Sequence, residues 1–211
     1  MPGRGTAVCA KIPDFSAWGQ RKNGYLCIMS KKVSINIVSA NVFALLLFVG
    51  CIVVLGVPFT LIWPMHEISS HFTLSSANLF LIAIVVGVFL HEGIHGLTFA
   101  LLNRGGFRNV SFGVMWKYLT PYCHYSKPMS RNRYIAGALA PFLILGVVPS
   151  VWALFCGNPF LLVYGILYIS AAAGDLWMVW LIQKESPKSM ILDHPSEAGF
   201  YVLDDGKMPA E

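Results

Sequence analysis

The pentad His91-Glu92-Gly93-Ile94-His95 lies inside an apolar stretch, Leu79 to Leu102. Histidines four apart on a helix stand on one face, one turn above the other, so both imidazoles can reach one metal ion. The glutamate between them stands beside that face, where it can take a proton from water at the metal. In a soluble helix this spacing points to a zinc hydrolase. At membrane depth it points to one that works on something within the bilayer.

The elements that must position these residues are membrane spans. The chain has 211 residues, 56% hydrophobic and 12% charged, with a mean hydropathy of +0.64. A soluble domain carries about 25% charged residues. The net charge of +5 does not point to nucleic acid, because the basic residues gather in alternate loops beside apolar spans. The five cysteines are odd in number and form no CxxC pair, which argues against a disulfide framework or a Cys-type zinc site.

A spanning helix needs about 20 mostly apolar residues. Ile37–Trp63, Leu79–Leu102, Tyr134–Cys156 and Phe160–Ile182 meet that requirement. Pro58, Pro141 and Pro149 are expected to kink or end helices locally. Lys and Arg number six before the first span, none in the next loop, six in Asn103–Arg133, none in the third loop and three after the last span. By the positive-inside rule, this places both termini and the long middle loop in the cytoplasm of a multi-pass cell-membrane protein.

Within that loop, Asn109–Trp116 alternates with period two, Val110, Phe112, Val114 and Trp116 sharing one side, and reads as a strand. Tyr118–Ser126 could return as an edge strand, limited by Pro121. The expected fold is an all-α membrane protein, a four-transmembrane-helix bundle with a small cytoplasmic β-hairpin between helices 2 and 3. Residues 1–33 are expected to be a flexible cytoplasmic tail, 34–183 the transmembrane metallopeptidase domain, and 184–211 a C-terminal cytoplasmic tail that docks on the same face. The first 30 residues lack the apolar core of a secretory signal. Met29 before Ser30-Lys31-Lys32 would make a natural basic lead, so translation could begin there.

The first and third spans contain no Asp, Glu, Lys, Arg or His; the second contains His91, Glu92 and His95, and the fourth Asp175. Such groups cost several kcal/mol alone in hydrocarbon and should be paired or bound. The second and fourth spans run in the same direction. At ~1.5 Å per residue His91 lies roughly 18 Å, His95 roughly 24 Å and Asp175 roughly 22 Å below the outer ends of their spans. The carboxylate therefore falls between the imidazoles in depth. Two histidines and a carboxylate make a common catalytic zinc set. The alternatives are a helix-packing or proton-relay role for Asp175 and a structural-metal or haem role for the histidines. Gly87, Gly93, Gly96 and Gly174 would let the two spans approach closely. His124 in the middle loop reads as a loop residue that becomes the next candidate ligand should Asp175 fail. His66, Glu67, His71 and His194 read as structural or surface groups.

The segments Val88–Leu97, Pro121–Pro128, Ala140-Pro141-Phe142, Gly174-Asp175-Leu176 and Asp193–Tyr201 resemble a bacterial family of integral-membrane zincin peptidases. The placement of the pentad, hairpin and later aspartate also resembles the site-2-protease class of intramembrane zinc metalloproteases. The resemblance implies His91 and His95 as zinc ligands, Glu92 as catalytic acid/base and Asp175 as third ligand. One departure is that Gly174 precedes Asp175, where site-2 proteases place the glycine after. The expected function is zinc-dependent hydrolysis of peptide bonds in membrane proteins or peptides near the cytoplasmic side, with the bilayer as the other partner. The alternatives are a non-proteolytic membrane zinc hydrolase, and a metal-binding scaffold or transporter without hydrolysis.

Overall fold

The computed structural model describes residues 6–11, 25–116, 120–194 and 199–203, with side chains of residues 6–11, 25–30 and 115 left undescribed. Of the basic residues counted above, Arg4, Arg21, Lys22, Lys117 and Lys207 lie outside the described residues, as do Pro195–Ala198 of the segment Asp193–Tyr201.

Among the described residues, three helices are long and apolar enough to cross a membrane: α1 (Ile37–Ile62), α3 (Leu74–Leu102) and α4 (Arg131–Cys156). Between the first two lies the short α2 (Met65–Ser70). The Asn36 side chain accepts hydrogen bonds from Val38 N and Ser39 N and starts α1. Thr73 and Ser76 form a reciprocal capping box that starts α3. The chain before Pro58, and the chain between Pro141 and Pro149, widens into π-helical turns at Ile52–Gly56 and Phe142–Val147. The wide turns before Pro58 and Pro149 absorb the hydrogen bond that proline cannot donate, and none of the three prolines ends its span.

The expected fourth span is bent. Helices α5 (Pro159–Ala171) and α6 (Ala173–Ile182) pass the span test only as a pair and meet at 43°. No proline lies at the break. Ser170 Oγ donates instead to Ile166 O, a back-bond that bends helices. The small residues Ala171 to Gly174 follow and offer no bulk to bridge the bend. The α4–α5 turn is tight. Gly157 takes φ +68°, the left-handed conformation that ends α4, and Asn158 accepts from Leu161 N to start α5.

Small strands flank the helices. β3 (Val110–Met115) and β4 (Thr120–Tyr125) form the antiparallel hairpin between α3 and α4. A second, fully antiparallel sheet has the order β1-β2-β7-β6-β5. Its strands are β1 (Thr6–Lys11), β2 (Tyr25–Ser34), β5 (Met129–Ser130), β6 (Met190–Asp193) and β7 (Gly199–Leu203). The segment 1–33, expected to be flexible, thus contains two strands, and β2 joins the C-terminal tail through pairs such as Lys32 with Tyr201. Lys31 Nζ meets Glu185 Oε1 at 2.6 Å across the same junction.

Two apolar clusters tie the elements together. Phe99, Tyr125, Tyr134, Ile182, Ile191 and Phe200 join the sheet end of α3, α4 and α6 to both sheets. Phe59, Ile68, Ala153, Leu162 and Ile166 join the opposite end. Between spans, close approach rests on small residues. Of the four glycines expected to serve the site, Gly87 faces Tyr164 and Tyr168 and Gly96 faces Val110 and Phe112. A Cβ at Gly93 or Gly174 would meet nothing within 4 Å, so these two carry no close contact.

Gly165 is the tightest of the α4–α5 contacts, since a Cβ there would stand 2.7 Å from both Gly146 O and Ser150 N, which are backbone atoms that cannot swing aside. Gly165→Ala should therefore lower stability by about 1–3 kcal/mol, the usual cost of overpacking. Gly93→Ala should leave thermal unfolding in detergent unchanged. Equal losses in the two variants would contradict this packing.

Candidate metal centre

His91 and His95 project from one face of α3, and Asp175 from the first turn of α6, beyond the bend at Ala172. That turn puts a carboxylate at a helix N-terminus, where the helix dipole favours it. The depth match expected from sequence holds at atomic range. Asp175 Oδ2 lies 3.1 Å from His91 Nε2 and 3.4 Å from His95 Nε2, and the two Nε2 atoms are 3.2 Å apart. Four-coordinate zinc with ligands at ~2.0–2.1 Å has donor-to-donor edges of about 3.3–3.4 Å in a tetrahedron. The three donors therefore already stand at tetrahedral spacing, and two imidazole nitrogens with one carboxylate oxygen leave a fourth place open. Among the described residues, this is the group able to hold a metal ion.

The ring orientation is set from behind. His95 Nδ1 donates to Gly137 O at 2.9 Å, which leaves Nε2 with its lone pair free toward the other donors. Gly137 is glycine because a Cβ would strike the Phe99 ring, and so α4 can bring its carbonyl to α3. Phe99 in turn stacks at 13° to His95 with ring centroids 6.1 Å apart. His95 is thus held both by α4 and by its own helix.

Glu92 lies beside the donors, with the Cys123 backbone N–H of β4 turned toward its carboxylate. All four residues open onto a cavity of about 540 Å³ between α3, α6 and the hairpin. His124 and His194, expected to be loop or surface groups, also line this cavity. His124 is not within the donor cluster; its Nδ1 lies 3.9 Å from Asp193 Oδ2. His66, by contrast, faces Glu67 at 3.8 Å in an exposed pair on α2, before α3 begins.

Two further groups at the cavity were missed in the sequence. The Cys123 thiol is pushed up to about 12 by burial, with the Glu92 and Asp193 charges adding to the effect. It stays protonated at neutral pH and lies outside the donor cluster. Asp193 is also raised, by burial first, against hydrogen bonds from Tyr134 and the Tyr125 backbone and the nearby His124. No pattern in the polar tail marks it, because its partners lie 59 and 68 residues away.

Zinc stoichiometry tests the centre. Wild type should bind one zinc per chain, and His95→Ala and Asp175→Ala should each weaken binding by at least about tenfold, as loss of a ligand or its support does. Full zinc retention in Asp175→Ala, measured by elemental analysis after dialysis, would remove the third ligand.

No curated protein and no solved structure matches the chain. Residues 84–190, about half of the chain and including the pentad, hairpin and Asp175, match a family model. The chain belongs to that family, DUF3267, whose description is "Putative zincin peptidase", and the family implies zinc.

Proposed function

We propose that the chain is a membrane-embedded zinc metallopeptidase that cleaves membrane proteins or peptides near the cytoplasmic side. The observation that carries this is the convergence of His91, His95 and Asp175 at tetrahedral spacing beside Glu92, within helices apolar enough to span a bilayer. Counting α5 and α6 as one bent span gives a four-span bundle. The 6/0/6/0/3 distribution of Lys and Arg then supports cytoplasmic termini and a cytoplasmic hairpin.

His91 Nε2, His95 Nε2 and Asp175 Oδ2 would hold the ion. When bound, zinc supplies Lewis acidity, which acidifies water and polarises a substrate carbonyl. The Glu92 carboxylate takes one proton from the attacking water as its oxygen bonds to the carbonyl carbon. It returns that proton to the amide nitrogen as the C–N bond breaks. The Cys123 backbone N–H faces Glu92 from the hairpin side, and both residues line the cavity. His95 is about 10 Å from the sheet end of α3 at the helical rise, so water would enter from that end. A helical substrate must unwind there. The hairpin borders the cavity through Val114 and through Thr120 to His124, so an extended peptide lying along it would carry a carbonyl to Glu92.

Glu92→Gln should retain zinc and lose about 10²–10⁴-fold in turnover, the usual worth of a positioned general base. Purified protein incubated with membrane peptides and, separately, with lipids should release peptide fragments only, read by mass spectrometry. Sustained turnover by Glu92→Gln would contradict the mechanism, and lipid products without peptide cleavage would replace it with a non-proteolytic hydrolase.

A further inference from the structure

Asp193 ends β6, beyond the segment that the family model matches. Its carboxylate sits between three elements. Oδ1 accepts from Tyr134 Oη of α4 at 2.6 Å, and Oδ2 accepts from the Tyr125 backbone N–H of β4 at 3.0 Å. Both tyrosines are 1% exposed, so neither partner has water as an alternative. The side chain thus grips the outer edge of β4, the edge that β3 does not use.

Backbone N–H groups alternate along a strand, so Tyr125 and Cys123 present theirs on the same edge. The Tyr125 N–H donates to Asp193, and the Cys123 N–H on the same edge faces the Glu92 carboxylate. Two residues of strand span about 7 Å, a distance over which a paired strand is stiff. On α3, Gly96 packs against Phe112 and Val110 of β3, and the Phe99 ring lies 6.1 Å from the Tyr125 ring of β4; these apolar contacts set no direction for a strand N–H, whereas a hydrogen-bonded carboxylate does. Pro121, the next residue on that edge, has no N–H to offer.

We infer that Asp193 is a positioning residue for Glu92: by clamping β4 to α4, it sets the strand edge at which Cys123 N–H orients the Glu92 carboxylate. The inference rests on the peptidase proposal for its catalytic consequence, though not for its geometry. Strand β6 then completes a site whose donors lie in α3 and α6.

The test uses the full chain, zinc-loaded in micelles and labelled with [15N]cysteine, which gives at most five amide signals. Cys123→Ser identifies the Cys123 signal by its loss, and Glu92→Gln shifts it by changing the direct partner. Asp193→Ala should move that amide proton upfield and speed its exchange at least about tenfold, as loss of a buried hydrogen bond does. Zinc content should stay at the wild-type value. Turnover should fall about 10–100-fold with KM within threefold, the expected effect of misplacing a catalytic group by about 1 Å. Asp193→Asn keeps an acceptor for Tyr125 N–H and should restore both signal and turnover. Should Asp193→Ala not fold, Tyr134→Phe releases Oδ1 alone and should move the signal the same way by less. An unmoved Cys123 signal in both variants overturns the inference, and so does a displaced signal with unchanged turnover. If the wild type cleaves no peptide, the peptidase proposal fails, and the Cys123 signal still decides the positioning role.

Discussion

Three donor atoms from two helices, held within 3.4 Å of one another in an apolar environment, are the constraint on which the rest of this structure depends. Imidazoles and a carboxylate are costly in hydrocarbon and repay that cost only when they are shared by an ion or by one another. Bringing them together requires α4 to pack against both α3 and α6, and closely enough on α3 for the Gly137 carbonyl to reach His95. Bare glycine at position 137 and the bend at Ala172 are the local means to that end.

The bend has a consequence for chemistry. A straight span would place Asp175 in mid-helix, with its own turn's N–H groups already paired. Breaking the helix at Ala172 puts the carboxylate in a first turn, whose N–H groups have no partner within the helix. The π-helical turns in α1 and α4 serve a different purpose, keeping spans continuous past proline. Irregular backbone in this bundle is therefore concentrated where a functional group or a proline demands it.

What was legible in the sequence follows the range of the interactions involved. The placement of His91 and His95 on one face needs only helical periodicity, and the meeting with Asp175 needs only span direction and rise. The hairpin was legible from the alternation of Val110, Phe112 and Val114, and its two strands fall within the expected segments. The bend at Ala172 was not legible, because no proline or glycine stands at the break itself. The sheet joining Tyr25–Ser34 to Gly199–Leu203 was not legible either. The partners are about 170 residues apart, so local pattern carries no sign of the pairing. For the same reason His124, His194 and Asp193 read as tail and loop residues although they border the cavity.

The account stands most directly on the identity of the atoms around the ion. X-ray absorption at the zinc edge, on zinc-loaded full-length protein, should give nitrogen and oxygen scatterers at about 2.0–2.1 Å, with the outer-shell signature of two imidazoles and no sulfur. His91→Ala should leave one imidazole or none. A sulfur shell near 2.3 Å, which would bring Cys123 into the coordination sphere, or unchanged scattering in His91→Ala, would contradict it.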